Sequence, residues 1–346
     1  MRREKLAALI GSICLVLVLA PLPFMGAMAE EKVQTWNLRC PTIDSVADME
    51  ERNKEWREDI YQMTGGRVKI HLFSSYELIP DEQIMPAVKA GTVDCAKYMC
   101  WSNPSLTQTG WVEGTLPYGM DNPSEFNVLY WFRGLKKIFE EDYANYGVKY
   151  VAPWQLDASS TLISTKPIKK LADFKGMKLA TFEPLGGACW SKAGAQLVSV
   201  PADEMYLAGK TGTIDGVGWG GAHQYYVMGL QEAFPYYLAN SAAGTLVGNV
   251  IFNKKVWDSF GPEIQKMIEC ATIKASHVDS ARKYDGESWG RKPYKVTRLS
   301  DEDDAILRQY AYKYWDELGK ANAKAAKVVQ IYKDYNKELQ ATKWHR

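Results

Sequence analysis

Residues 64–99 read TGGRVKIHLFSSYELIPDEQIMPAVKAGTVDCAKYM, and their pattern decides the fold. Val68, Ile70 and Leu72 alternate with Lys69 and His71, the two-residue period of a strand with one buried face. A short helix over residues 84–90 stops at Gly91, and residues 93–99 return as a strand. Upstream, residues 33–39 (VQTWNLR) alternate as another strand. Val46, Met49, Trp56, Ile60 and Met63 then recur at helical spacing until Thr64-Gly65-Gly66 ends the run. The order β-α-β-α-β calls for parallel strands wound by helices, with ligand sites beyond the carboxyl ends of the strands.

Downstream, the pattern restarts after residue 150. A helix over residues 125–146 closes on Gly147, and strands are expected at 148–153, 160–165 and 177–181. A second lobe over residues 151–244 accounts for this restart. The first lobe then comprises residues 30–150 with 245–290, and residues 291–346 form C-terminal helices. Two crossings between lobes make a hinge. In the tail, Leu307, Ala311, Tyr314, Leu318, Ala321, Ala325, Val328, Tyr332 and Tyr335 step by fours and threes behind a Ser300 cap. Such a seam packs across its own lobes or pairs with a second copy of the chain.

The chain has 346 residues, 46% hydrophobic and 24% charged, which excludes disordered, collagen-like and small disulfide-scaffold classes. At this length two lobes are expected rather than one core. Residues 1–29 read as a signal peptide: Arg2, Arg3 and Lys5 precede an apolar run over 6–20, and Ala27-Met28-Ala29 stands before Glu30. Its removal takes three positive charges from a chain of net charge +1. The expected product is a slightly acidic protein, soluble outside the cytoplasm, with no electrostatic footprint for nucleic acid. Of its five cysteines, Cys95 and Cys100 are nearest in sequence, but their odd separation on a strand points them to opposite faces. This argues against a bridge between them unless a turn intervenes, and as a metal pair they lack two further ligands, so they are read as buried, inert thiols.

Thr64-Gly65-Gly66-Arg67-Val68, Ala87-Val88-Lys89-Ala90-Gly91-Thr92-Val93-Asp94, Leu171-Ala172-Asp173-Phe174-Lys175-Gly176-Met177-Lys178 and Gly212-Thr213-Ile214-Asp215-Gly216 occur in that order. Together they resemble the DctP-like extracytoplasmic solute receptors of tripartite ATP-independent periplasmic (TRAP) transporters, over residues 35–271. Trp219, with Tyr236-Tyr237 downstream, is most similar to the alpha-keto-acid receptor branch. The resemblance implies an α/β, two-lobed periplasmic-binding-protein-like fold with a hinge and a long C-terminal helix. It implies a receptor, monomeric or dimeric through that helix, which closes on a small organic solute, an organic acid first, and delivers it to membrane permease subunits. A sensor of the same fold that informs a signalling partner is the other role it leaves open.

Two positions depart from the family pattern. Ala180 stands where an Arg usually clamps the substrate carboxylate, and Gly218 stands where an acid commonly precedes the Trp. This implies a rebuilt pocket. In one form an anion is held by Lys178, His223, Gln155 or backbone N–H groups, such as those at Gly186-Gly187. In the other a neutral or cationic ligand meets aromatic faces and a carboxylate such as Glu183 or Asp157.

Residues that follow strands are the candidate site: Tyr98, Trp101, Trp154, Gln155, Phe182, Glu183 and Trp219, with His223 and Asn249. Each aromatic serves equally well as core, and a single His is commonly a structural hydrogen-bonding group. Cys189 with His223 is the one nucleophile pair that suggests an enzyme, but it lacks an elbow motif and a third member. The four His show no metal-ligand spacing, and no Walker or dinucleotide motif occurs. No catalysis, metal or cofactor is expected.

Overall fold

A computed structural model describes residues 34–155, 161–240 and 242–342. The signal peptide assigned to residues 1–29 and the candidate Asp157 lie outside them. The first half builds β1 (Trp36–Pro41), α1 (Val46–Met63), β2 (Val68–Phe73), α2 (Ile84–Ala90), β3 (Cys95–Tyr98), α3 (Pro123–Phe132), α4 (Leu135–Tyr146) and β4 (Val148–Gln155). Next come β5 (Thr161–Ser164), β6 (Lys178–Thr181), α5 (Gly187–Lys192), β7 (Gln196–Val198), α6 (Met205–Lys210), β8 (Gly216–Gly220), α7 (Ala222–Val227) and β9 (Tyr236–Leu238). The chain ends with β10 (Val247–Asn253), α8 (Lys254–Ser259), α9 (Pro262–Gly290), β11 (Lys295–Thr297), α10 (Asp301–Gly319) and α11 (Ala323–Ala341).

These strands sort into two lobes. In the first, β1 pairs with β2 in parallel, Thr42 beyond β1 bridges Lys97 of β3 in parallel, and β10 lies antiparallel between β3 and β4. In the second, the order is β11-β9-β5-β8-β6-β7, with β6 parallel to β7 and β8 and with β5 antiparallel to β8 and β9. The sheets are therefore mixed where the sequence pattern called for parallel strands. The antiparallel members are strands close to a crossing between lobes, and the helix alternation of the first half does not reach them. β4 stays paired with β10 as far as Gln155, and β11 joins the second sheet beside β9, which adds a crossing after α9.

Two helical readings change. The single helix expected over 125–146 is two, α3 and α4, broken at Arg133 and at Gly134, which takes left-handed backbone at φ 95°. The tail seam is likewise split. Lys320 caps the end of α10, and the Asn322 side chain caps α11 by accepting from the Ala325 N–H at 2.9 Å. Leu307 and Ala311 of α10 are buried in the second lobe, whereas Trp315, Ala325, Val328 and Tyr332 are buried in the first. The helical pair thus lies across both lobes of its own chain.

Candidate functional site

The turn from β1 into α1 carries a buried charge cluster. Ser45 caps α1 by accepting from the Asp48 N–H, and this leaves Asp44 at the carboxyl end of β1. Arg52 Nη1 donates to Asp44 Oδ1 at 2.5 Å and to Asp48 Oδ2 at 3.1 Å, and its Nε donates to Asp279 Oδ2 of α9 at 3.0 Å. Lys97 Nζ and Asn53 Nδ2 donate to Asp44 Oδ2 at 2.8 and 2.9 Å. Asp44, Asp48, Arg52, Lys97 and Asp279 are all buried. Burial alone would raise the Asp44 carboxyl, but Arg52 and Lys97 overcome it and hold the group well below the usual carboxylate range. Burial and the Arg52 charge bring the Lys97 ammonium down to about 8, with Asp44 and Asp279 opposing the shift.

The cluster forms the floor of the gap between lobes. Beside it a void of about 10 Å³, the inner chamber, has room for no more than one water and is lined by Ile43, Asp44, Arg52 and Met99 of the first lobe, by Trp219 and Gln224 of the second, and by Trp101 and Leu246. Trp101, Trp219 and Ile43 also line an outer cavity of about 350 Å³, where Asp81, Glu82, Ser75 and Tyr76 face Phe182, Val200, Pro201 and Met205. The two tryptophans thus separate a charged interior from an open mouth. The lobes touch beside them: Gln224 Nε2 donates to Asp48 Oδ2 at 2.9 Å, and His223 Nε2 lies 3.4 Å from Glu51 Oε1.

Of the residues singled out by sequence, Trp101, Phe182 and Trp219 come together at the cavities. Trp154 lies beneath them, fully buried. Its Nε1 donates to Asp279 Oδ2 at 2.8 Å and Lys97 Nζ sits 4.4 Å from its ring, so it positions the cluster. Gln155 ends β4, and its side chain lies outside the described residues. Tyr98 is in the core of the first lobe. Asn249 is buried there as well, with its Nδ2 donating to Glu113 Oε1 and Tyr143 Oη at 2.7 Å each. Glu183 is exposed and accepts from Tyr314 Oη at 3.4 Å, and Lys178 is exposed. His223 packs edge-on against Trp289, and burial, then Lys283, lowers its pKa.

The two departures from the family pattern have structural counterparts. Ala180 is buried in the apolar cluster of Ile163, Val217 and Met205. A Cβ at Gly218 would stand 2.4 Å from Trp190 Cζ3, so an acid there has no room. The charged floor escaped the sequence reading because an apolar-periodicity search passes over Arg52. The signal was nevertheless present: Met49, Arg52, Asn53, Trp56 and Ile60 share the buried face of α1, and a charge within an apolar stripe marks a special site. Among the described residues no group of three or more His, Cys, Asp or Glu stands where it would hold a metal ion, and no helix is long and apolar enough to cross a membrane.

Two lobes that meet over paired tryptophans and a buried charge cluster define a solute receptor of the hinge-closing class. The chain belongs to the bacterial extracellular solute-binding protein family 7 (DctP), whose model matches residues 47–321. A monocarboxylate 2-oxoacid-binding periplasmic protein of Nostoc sp. is 29% identical over 299 residues, covering 83% of this chain and 79% of that one. The crystal structure of a TRAP periplasmic solute-binding protein from Chromohalobacter salexigens, with (S)-(+)-2-amino-1-propanol bound, is 27% identical with a TM-score of 0.85, and the match covers 89% of this chain and 98% of that one. A TRAP protein from Pseudoalteromonas atlantica with bound sodium and pyruvate shares the fold at 19% identity and a TM-score of 0.78, covering 89% and 96% of the two chains.

Proposed function

We propose that this protein is a periplasmic, non-enzymatic receptor that traps a small organic acid between its lobes and passes it to the membrane permease subunits of a TRAP transporter. The observation that carries the reading is the Arg52 guanidinium, which lines the inner chamber beside Trp101 and Trp219. Arg52 places on α1 a cation that Ala180 cannot supply from β6, and it would meet the solute from within the cluster in which its Nη1 and Nε hold Asp44, Asp48 and Asp279. The 2-oxoacid and pyruvate bound by relatives fit that chemistry.

In this mechanism the solute enters while the lobes are apart. Its carboxylate meets Arg52, and closure brings Trp219, Phe182 and Gln224 over it while water leaves. One lobe carries β1–β4 and β10, the other β5–β9 and β11, and α10 with α11 spans them. The decisive variant is Arg52→Lys, which keeps the charge among the buried carboxylates and removes the planar donor set that holds Asp44, Asp48 and Asp279. Calorimetric titration of protein unfolded and refolded to strip carried solute, against a panel of 2-oxo acids, is expected to show at least tenfold weaker binding by the variant. Equal affinity of parent and variant would overturn the assignment of Arg52.

A second reading is favoured by Asp44, which lines the same chamber, and by the amino alcohol held by the Chromohalobacter relative. A cationic amine would then compete with Lys97 for Asp44. The same titration run with 2-amino-1-propanol distinguishes the two, since saturable binding of the amine with silence toward acids selects the second.

A further inference from the structure

β1 and β3 run side by side. Arg39 N donates to Asp94 Oδ2 at 2.7 Å and Asp94 N donates back to Arg39 O at 3.2 Å, a pair 55 residues apart. Beyond β1, Thr42 bridges Lys97 in parallel register. Cys40 and Cys95 each stand two residues before that bridge, and residues two apart on a strand share a face. Both cysteines are 0% exposed in the core of the first lobe. Cys95 Sγ stands 3.9 Å from Arg39 O, and burial, then the neighbouring Cys40 thiol, pushes the Cys95 thiol well above the usual range.

We infer that Cys40 and Cys95 are joined as a disulfide in the exported protein, tying β1 to β3 directly behind the Asp44–Lys97 pair. Adjacent strands lie ~4.8 Å apart, within the Cα separation of ~4.4–6.8 Å that a disulfide spans. The family is extracellular, and such compartments allow thiols to oxidise. The inference rests on export and on strand register, and it is independent of which solute is bound. It replaces the Cys95 and Cys100 couple considered from sequence, because β3 ends at Tyr98 and Cys100 opens a helical turn beside Gly114.

In the step, the thiolate of one cysteine attacks a disulfide presented by a thiol–disulfide exchange partner, forming a mixed disulfide and releasing one partner thiol. The second cysteine, as thiolate, attacks the protein sulfur of that mixed disulfide and expels the other partner thiol. Two protons and two electrons leave Cys40 and Cys95, and the partner ends as a dithiol. A buried thiol with a raised pKa makes a poor attacker, so exchange takes place before β1 and β3 close. The folded, reduced protein resists it.

The test is peptide mapping of the full chain exported to a bacterial periplasm, denatured in an alkylating agent without reductant and digested with trypsin. Peptides 40–52 and 90–97 are expected as one linked species, two hydrogens lighter than their sum, which separates only after reduction. Alkylated Cys40 and Cys95 in unreduced material, or a link from Cys95 to Cys100, would overturn the inference. Reduced folded protein held in glutathione disulfide is expected to stay unlinked for hours, whereas refolding in the same buffer forms the link. Equal linkage in both arms would overturn the proposed order of events.

Discussion

Gln224 of the second lobe donates to Asp48 of the first at 2.9 Å, and Asp48 is simultaneously held by Arg52 on the chamber floor. Closure of the lobes and the charge cluster are thus one hydrogen-bonded unit. Asp48 is fully buried, so the donor it loses on opening must be replaced by water.

Gln224→Ala is expected to weaken solute binding about 10- to 100-fold, since a hydrogen bond to a charged group contributes ~1.5–3 kcal/mol. Most of the loss should appear as faster dissociation, because the bond forms only when the lobes meet. Stopped-flow release measured beside equilibrium titration checks this, and an unchanged release rate would sever Gln224 from closure. Gln224→Glu should be worse still, because it sets a carboxylate against Asp48.

Gly114 makes room for Trp101. A Cβ at this position would stand 2.3 Å from Cζ3 and 2.6 Å from Cε3 of the indole, so Gly114→Ala must push the ring toward the cavities it walls. Weaker solute binding and a destabilisation of about 1–3 kcal/mol are expected, as for other overpacked sites. Titration, thermal melts and the indole emission spectrum report the three consequences separately. Parental affinity in the variant would mean that the Trp101 wall is not used.

Much of this arrangement was legible because a strand's carboxyl end can be read locally: Trp101, Phe182 and Trp219 each lie at or just beyond such an end, and they converge. The pairing of Cys40 with Cys95 was not legible, since it depends on the register of β1 against β3, which no local pattern fixes. Asn249 looked like a site donor because its strand returns toward the hinge, yet it turns to Glu113 within the core. The tail was read through its own turn because α10 and α11 each bury a stripe and the residues between them keep the phase.

Ala180→Arg tests the rebuilt pocket from the opposite side. The position is 1% exposed inside an apolar cluster, so the guanidinium must force the packing apart or be buried without a matched anion. Loss of several degrees in Tm is expected, with no gain in affinity for carboxylates. If the variant instead melted normally and bound simple carboxylates more tightly, β6 would have kept room for the family's clamp and Arg52 would not be its replacement.

Glu113 gives the first lobe a pH dependence of definite sign. Burial pushes its carboxyl up to about 8, against the lowering by Asn249 and Tyr143. In the unfolded chain the group titrates near ~4.3. Between those values the native state holds a proton that the unfolded state has released, so this group's contribution to stability falls as pH rises from about 4.3 to about 8 and is level above. At about 1.4 kcal/mol per pKa unit the span is a few kcal/mol. Glu113→Gln keeps an oxygen to accept from Asn249 Nδ2 and removes the titration. The variant is therefore expected to exceed the parent in Tm by a margin that widens between pH 5 and pH 8, and a margin constant with pH would show that Glu113 ionises in the folded protein as it does in the unfolded one.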